Sequence, residues 1–149
     1  MIENRASYSV DSSVQSVNQA EDIARSVAAD AGFQPKEVED IAIAVREAAI
    51  NAAVHGNAGD PSKKVLLVME RLPDGLRITV TDEGKGFDPG ALPDPLAPEN
   101  LLKQSGRGVF LMRAYMDEVR FRRLKSGMET VLIKYFRGAP AKGKETPKP

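Results

Sequence analysis

The sequence predicts an α+β fold: a two-layer α/β sandwich with a mixed, mostly antiparallel sheet and helices on one face. Three observations carry this reading. Strand-like segments come in pairs joined by tight turns, "KKVLLVME" and "GLRITVTD" around "PDG" at 73–75, then "DEVRFRRL" and "METVLIKYF" around "SG" at 126–127. Two helical stretches precede the first pair, and a shorter one precedes the second. A doubly wound parallel sheet needs strands and helices alternating throughout, and here they do not.

Taken in order, residues 5–10 read as a short strand. "SVQSVNQAEDIARSVAADAG" follows, with Val14, Val17, Ile23 and Val27 at roughly helical spacing before Gly32, a natural stop. Pro35 suits the first turn of a second helix, expected over about 35–55 and closed by Gly56. The clearest strand alternation sets Leu76, Ile78 and Val80 against Arg77, Thr79 and Thr81. Between the two hairpins, residues 82–108 form a long Gly- and Pro-rich segment, which in a compact domain marks a functional or mobile loop. "VFLMRAYM" is then a short apolar helix. The expected organisation is one domain, residues 1–137, and a disordered tail, 138–149, that holds no core residues.

A chain of 149 residues with 42% hydrophobic content can bury a single core. Lys plus Arg equals Asp plus Glu at 21 each, so no overall basic field exists to hold nucleic acid or an anionic membrane. Zero cysteines exclude disulfides and thiolate metal sites, and a single histidine excludes a His-rich metal centre. No apolar run reaches the roughly 18–20 residues that span a bilayer. A cytoplasmic protein is expected, with no direct nucleic-acid or membrane partner.

The stretch "EAAINAAVHGN", residues 47–57, sets Glu47 and Asn51 one helical turn apart in an otherwise apolar run. On a helical wheel Val38, Ile41, Ala42, Val45, Ala48, Ala49, Ala52 and Ala53 share the core arc. Glu47 and Asn51 lie opposite, flanked by Ile43, Ile50 and Val54, so the helix is expected to be covered on more than one side. Two readings stand. Glu47 is half-exposed and Asn51 caps a neighbouring loop, or the pair serves a ligand: a divalent cation takes carboxamide oxygens, and a carboxylate beside it deprotonates an attacking hydroxyl. His55 is read as a cap or packing residue.

Two glycine loops add to this. In "DEGKGFD", Asp82 ends a strand while Gly84 and Gly86 let backbone pass close to a ligand. In "SGRGVFLM", Gly106 and Gly108 precede a helix whose N-terminal amides are free to face an anion, with Arg107 adding positive charge. Neither loop matches a P-loop or a dinucleotide-binding fingerprint.

In this order the three motifs resemble the GHKL, or Bergerat-fold, ATPases, the superfamily of gyrase, histidine-kinase and MutL ATP domains. Within it "IAVREAAINAAVHG", "VTDEGKGFD", "GRGVFLMRAYMDEV" and "GMETVLIKY" look most like the anti-sigma-factor serine/threonine-protein kinases of the RsbW and SpoIIAB type. The resemblance spans residues 5–136. It implies ATP and Mg2+ as cofactors, with Asn51 binding the metal that bridges the phosphates and Glu47 acting as base toward the attacking hydroxyl. It implies that Asp82 accepts from the adenine amino group and that Gly84 and Gly86 let the loop approach base and ribose. Gly106, Arg107 and Gly108 then belong to a lid over the phosphates, and Thr130 supports the adenine end. Lys85 and Lys103 are read as solvated lysines.

The function so implied is an ATP-dependent serine/threonine protein kinase that binds a sigma factor and phosphorylates a serine of a STAS-type anti-anti-sigma protein. The alternative is a catalytically inactive, nucleotide-binding anti-sigma or adaptor module. Exposed strand edges and the resemblance both imply a homodimer. The basic run Arg120, Arg122, Arg123 and Lys125 is read as the solvated face of a strand.

Overall fold

A computed structural model describes residues 4–84 and 106–137. Gly86, Lys85, Lys103 and the tail at 138–149 lie outside the described residues. The elements in chain order are β1 Arg5–Asp11, α1 Val14–Ala31, α2 Pro35–Ile50, a π-helical turn Asn51–Gly56, β2 Lys64–Leu72, β3 Gly75–Asp82, α3 Gly106–Tyr115, β4 Glu118–Leu124 and β5 Gly127–Tyr135.

Local chemistry sets the helix ends. Ser13 caps α1, its hydroxyl accepting from Ser16 N at 3.1 Å, and Asp11 Oδ1 in turn accepts from Ser13 N at 2.9 Å. Gly32 ends the helix in the left-handed region at φ 103°, where its N–H reaches back to the carbonyls of Ala28 and Ala29. Pro35 opens α2, and the Glu37 carboxylate accepts from Gln34 N at 3.2 Å.

The strands lie in the order β1-β2-β3-β5-β4, and every pairing among the described residues is antiparallel, so the parallel component expected of a mixed sheet is not found there. Side chains alternate across the sheet. One row of register partners runs Tyr8, Leu67, Val80, Thr130, Phe121, and the next runs Val10, Val65, Asp82. These rows face the helices and join Ile41, Val45 and Ala48 of α2 in the core. Ala20, Ala24 and Ala28 of α1 are wholly buried, and their small side chains let α1 lie close against α2.

The register places Asp82 on the helix-covered face at the end of its strand. The opposite face carries Leu66, Thr81, Glu129 and Arg122 in one row, with Arg122 Nε donating to Glu129 at 3.1 Å. Arg120 pairs with Glu118 on the same edge strand, so both arginines sit on a solvated strand face, as read from the sequence.

Candidate functional site

The second helix does not run regularly to Gly56. After Ile50 the chain widens into the π-helical turn Asn51–Gly56, closed by Asn57 N donating to Ala52 O at 2.8 Å. All eight residues of the predicted core arc are buried. The opposite arc departs from expectation: Val54 is 51% exposed, His55 is exposed, and Glu47 and Asn51 are half-buried. The helix is therefore packed on its core side and, among the described residues, left partly open along the strip that holds the acid and the amide.

That strip meets the start of α3. A Cβ built on Gly108 falls 3.3 Å from Glu47 Oε1, 3.5 Å from Asn51 Oδ1 and 3.6 Å from Asn51 Nδ2. Glu47, Asn51 and Gly108 thus form one cluster, and the glycine keeps side-chain bulk away from both polar groups. Gly106 opens the same helix and Arg107 is exposed beside it. Among the described residues no three His, Asp or Glu side chains converge as a metal cage.

A second cluster surrounds Asp82, which is only 6% exposed. Its Oδ1 accepts from Gly84 N at 3.0 Å and from Met128 N at 3.2 Å. Burial pushes the carboxyl above its ordinary range, against the opposing pull of those two amides and of Lys63. Thr130, likewise buried, stands on β5 opposite Val80, one row away on the same face.

Glycines make room for Asp82. A Cβ on Gly56 falls 2.2 Å from Asp82 Oδ2, one on Gly84 falls 2.3 Å from Gly56 O, and one on Gly127 falls 2.2 Å from Asp82 O. Gly127 also has φ 118°. Gly56 therefore joins the two clusters: it ends the turn that begins at Asn51 and lies against Asp82.

Of the residues singled out in the sequence, Glu47, Asn51 and Gly108 come together at one end, and Asp82, Gly84 and Thr130 gather at the other. Arg107 sits at the first end with its side chain in solvent, and Gly86 is outside the described residues. Gly56 and Gly127, which read in the sequence as a helix stop and a turn, stand against Asp82 as walls of the candidate site, and Asn57, whose side chain carries no motif, holds the amide that follows it.

Residues 10–134 match the histidine kinase-like ATPase domain family. The serine-protein kinase RsbW of Bacillus subtilis (strain 168) is 35% identical over 118 residues, an alignment covering 75% of this chain and 73% of that protein. The serine-protein kinase RsbW of Staphylococcus epidermidis is 33% identical over 114 residues, covering 72% and 71%. Among solved structures, the RsbU and RsbW domains of a Mycobacterium tuberculosis protein superpose with TM-score 0.68 at 21% identity, covering 92% of this chain and 34% of that one. A histidine kinase domain from Erythrobacter litoralis superposes with TM-score 0.54 at 20% identity, covering 80% and 60%. These two structures share the fold. The chain belongs to the histidine kinase-like ATPase domain family, whose fold uses ATP, and within it to the protein kinases of the RsbW type.

Proposed function

We propose that this protein is a serine/threonine kinase and anti-sigma factor that binds a sigma factor and transfers the γ-phosphoryl group of ATP to a serine of a STAS-type anti-anti-sigma protein. The observation that carries the reading is the juxtaposition of Glu47 and Asn51 beside the Gly108 backbone. A carboxylate and a carboxamide share one open strip of helix, at the N-terminal end of another helix whose first amides favour phosphate.

In this reading the base end is Asp82, whose carboxylate accepts from the adenine amino group, with Thr130 supporting it and Gly84 and Gly86 letting the loop lie close to base and ribose. The phosphate end is Asn51 with Gly106, Arg107 and Gly108 over the phosphates. The donor set fits Mg2+, because Asn51 offers one hard oxygen and, among the described residues, no three His, Asp or Glu side chains form an all-protein cage. Asn51 would hold the ion, which would neutralise phosphate charge when bound.

Glu47 takes the proton of the attacking serine hydroxyl as the new oxygen–phosphorus bond forms. The bond from the γ-phosphorus to the bridging oxygen breaks, and its electron pair leaves with ADP. Positioning and electrostatics account for most of such catalysis, since no covalent enzyme intermediate is required.

The partners follow from the same reading: a sigma factor, a STAS-domain protein and a second copy of this chain, met in the cytoplasm. Among the described residues no helix is long and apolar enough to cross a membrane. Incubation with labelled ATP and a candidate STAS protein tests the kinase half. Phosphoserine formed by the wild type and lost in Glu47→Ala supports it, whereas sigma-factor capture by both proteins with no phosphoserine from either supports a binding module.

A further inference from the structure

Asn57 is 2% exposed, yet polar. Its Nδ2 donates to Ser12 Oγ and to Lys64 O, both at 2.9 Å, and its Oδ1 accepts from Glu83 N at 2.8 Å. Its own N–H closes the π-helical turn on Ala52 O at 2.8 Å. One carboxamide therefore ties the start of α1, the start of β2 and the backbone beyond β3 to the end of the helix that carries Asn51.

Its place in the chain sets these bonds beside Asp82. Gly56–Asn57 meets Asp82–Glu83 as two adjacent pairs: Gly56 leaves room for the Asp82 carboxylate, and Asn57 holds the very next amide. The Glu83 side chain adds a separate bond, its Oε1 accepting from Lys64 N at 2.7 Å. An apolar residue at this position would leave the Glu83 amide and the Lys64 carbonyl without this partner, so Asn57 both satisfies these backbone groups and fixes where they stand.

We propose that Asn57 is a positioning residue: by fixing the Glu83 amide to the end of the Asn51 helix, it sets where Asp82 meets the base and how far that contact stands from the phosphate end. The inference rests on the proposed adenine role of Asp82.

The test is equilibrium binding of ATP and of purine riboside triphosphate, which lacks the 6-amino group, in the presence of Mg2+. The wild type should prefer ATP by about tenfold or more, the worth of a hydrogen bond to a charged group. Asn57→Ala should lose most of that preference. Ser12→Ala, which removes a neighbouring bond and leaves the Glu83 contact, should lower the melting temperature and keep the preference. If Asn57→Ala fails to fold, Glu83→Pro deletes the amide hydrogen at a strand end, where proline is tolerated, and Glu83→Ala controls for the side chain. Loss of preference in Glu83→Pro but not in Glu83→Ala supports the proposal. Full preference in both Asn57→Ala and Glu83→Pro overturns it, leaving Asn57 a stabilising residue only. A wild type that does not distinguish the two nucleotides overturns the adenine role of Asp82, and the positioning role falls with it.

Discussion

A methyl group on Gly108 would stand 3.3 Å from Glu47 Oε1, so the first turn of α3 and the acid of α2 share a space that the glycine leaves open. Gly108→Ala sets two effects against each other. Alanine favours a helix by up to about 1 kcal/mol, while the contact asks Glu47 or Asn51 to give by a few tenths of an ångström. The melting temperature should therefore change little. Phosphoryl transfer should fall by about tenfold or more, because the methyl occupies space beside both polar groups. Melting and transfer measured on the same preparation separate the two effects.

Asn51 is expected to serve the metal rather than the base. Asn51→Ala should weaken ATP binding measured with Mg2+, and chelating the metal should then change its affinity little. The wild type should lose affinity on chelation. Equal sensitivity to chelation in both proteins would remove Asn51 from the metal.

The buried Asp82 predicts a pH signature in two opposite senses. Burial raises its folded-state pKa above the ordinary aspartate value of 3.8. The fold therefore binds this proton more tightly than the unfolded chain does, a stabilising contribution that is complete below 3.8 and lost as pH rises through the raised value. Relative to Asp82→Asn, the wild type should gain stability on acidification across that window. Its ATP affinity should fall over the same window, since the protonated carboxyl gives up acceptor capacity. Calorimetry and binding titrations on both proteins across this pH range check the two signs.

The glycines around Asp82 should be intolerant for different reasons. Gly127→Ala meets a left-handed backbone at φ 118° and a Cβ position 2.2 Å from Asp82 O, so it should cost about 1–3 kcal/mol or more from strain alone. Gly56 has no such strain, but its added methyl falls 2.2 Å from Asp82 Oδ2 and must displace the carboxylate. Gly56→Ala should thus reduce ATP binding out of proportion to its loss of melting temperature. Denaturant melts paired with ATP titration distinguish the two cases.

The sheet and the helix starts were legible because local chemistry dictates them. "PDG" and "SG" bend the chain, Leu76, Ile78 and Val80 alternate into the core, and Pro35 and Gly32 punctuate the helices. The core arc of α2 was legible for the same reason. The end of that helix was not. Asn51–Gly56 widens into a π turn whose last residue is followed by Asn57, and the bonds of Asn57 to Ser12 and Glu83 join residues that local sequence patterns do not connect. Nor does sequence reveal that Gly56 is a wall against Asp82: the pair is 26 residues apart, and the glycine's backbone is not left-handed. The motifs named the polar residues, and the contacts among the glycines placed them.

Glu47 is proposed as the base of a phosphoryl transfer carried out beside Asn51. Its most direct measurement is the single-turnover rate of phosphoserine formation on the STAS partner by wild type and Glu47→Gln, with ATP affinity measured in parallel. The wild type should transfer, Glu47→Gln should be slower by about a hundredfold or more, and its ATP affinity should stay within a few-fold of wild type. Undiminished transfer by Glu47→Gln would contradict that role.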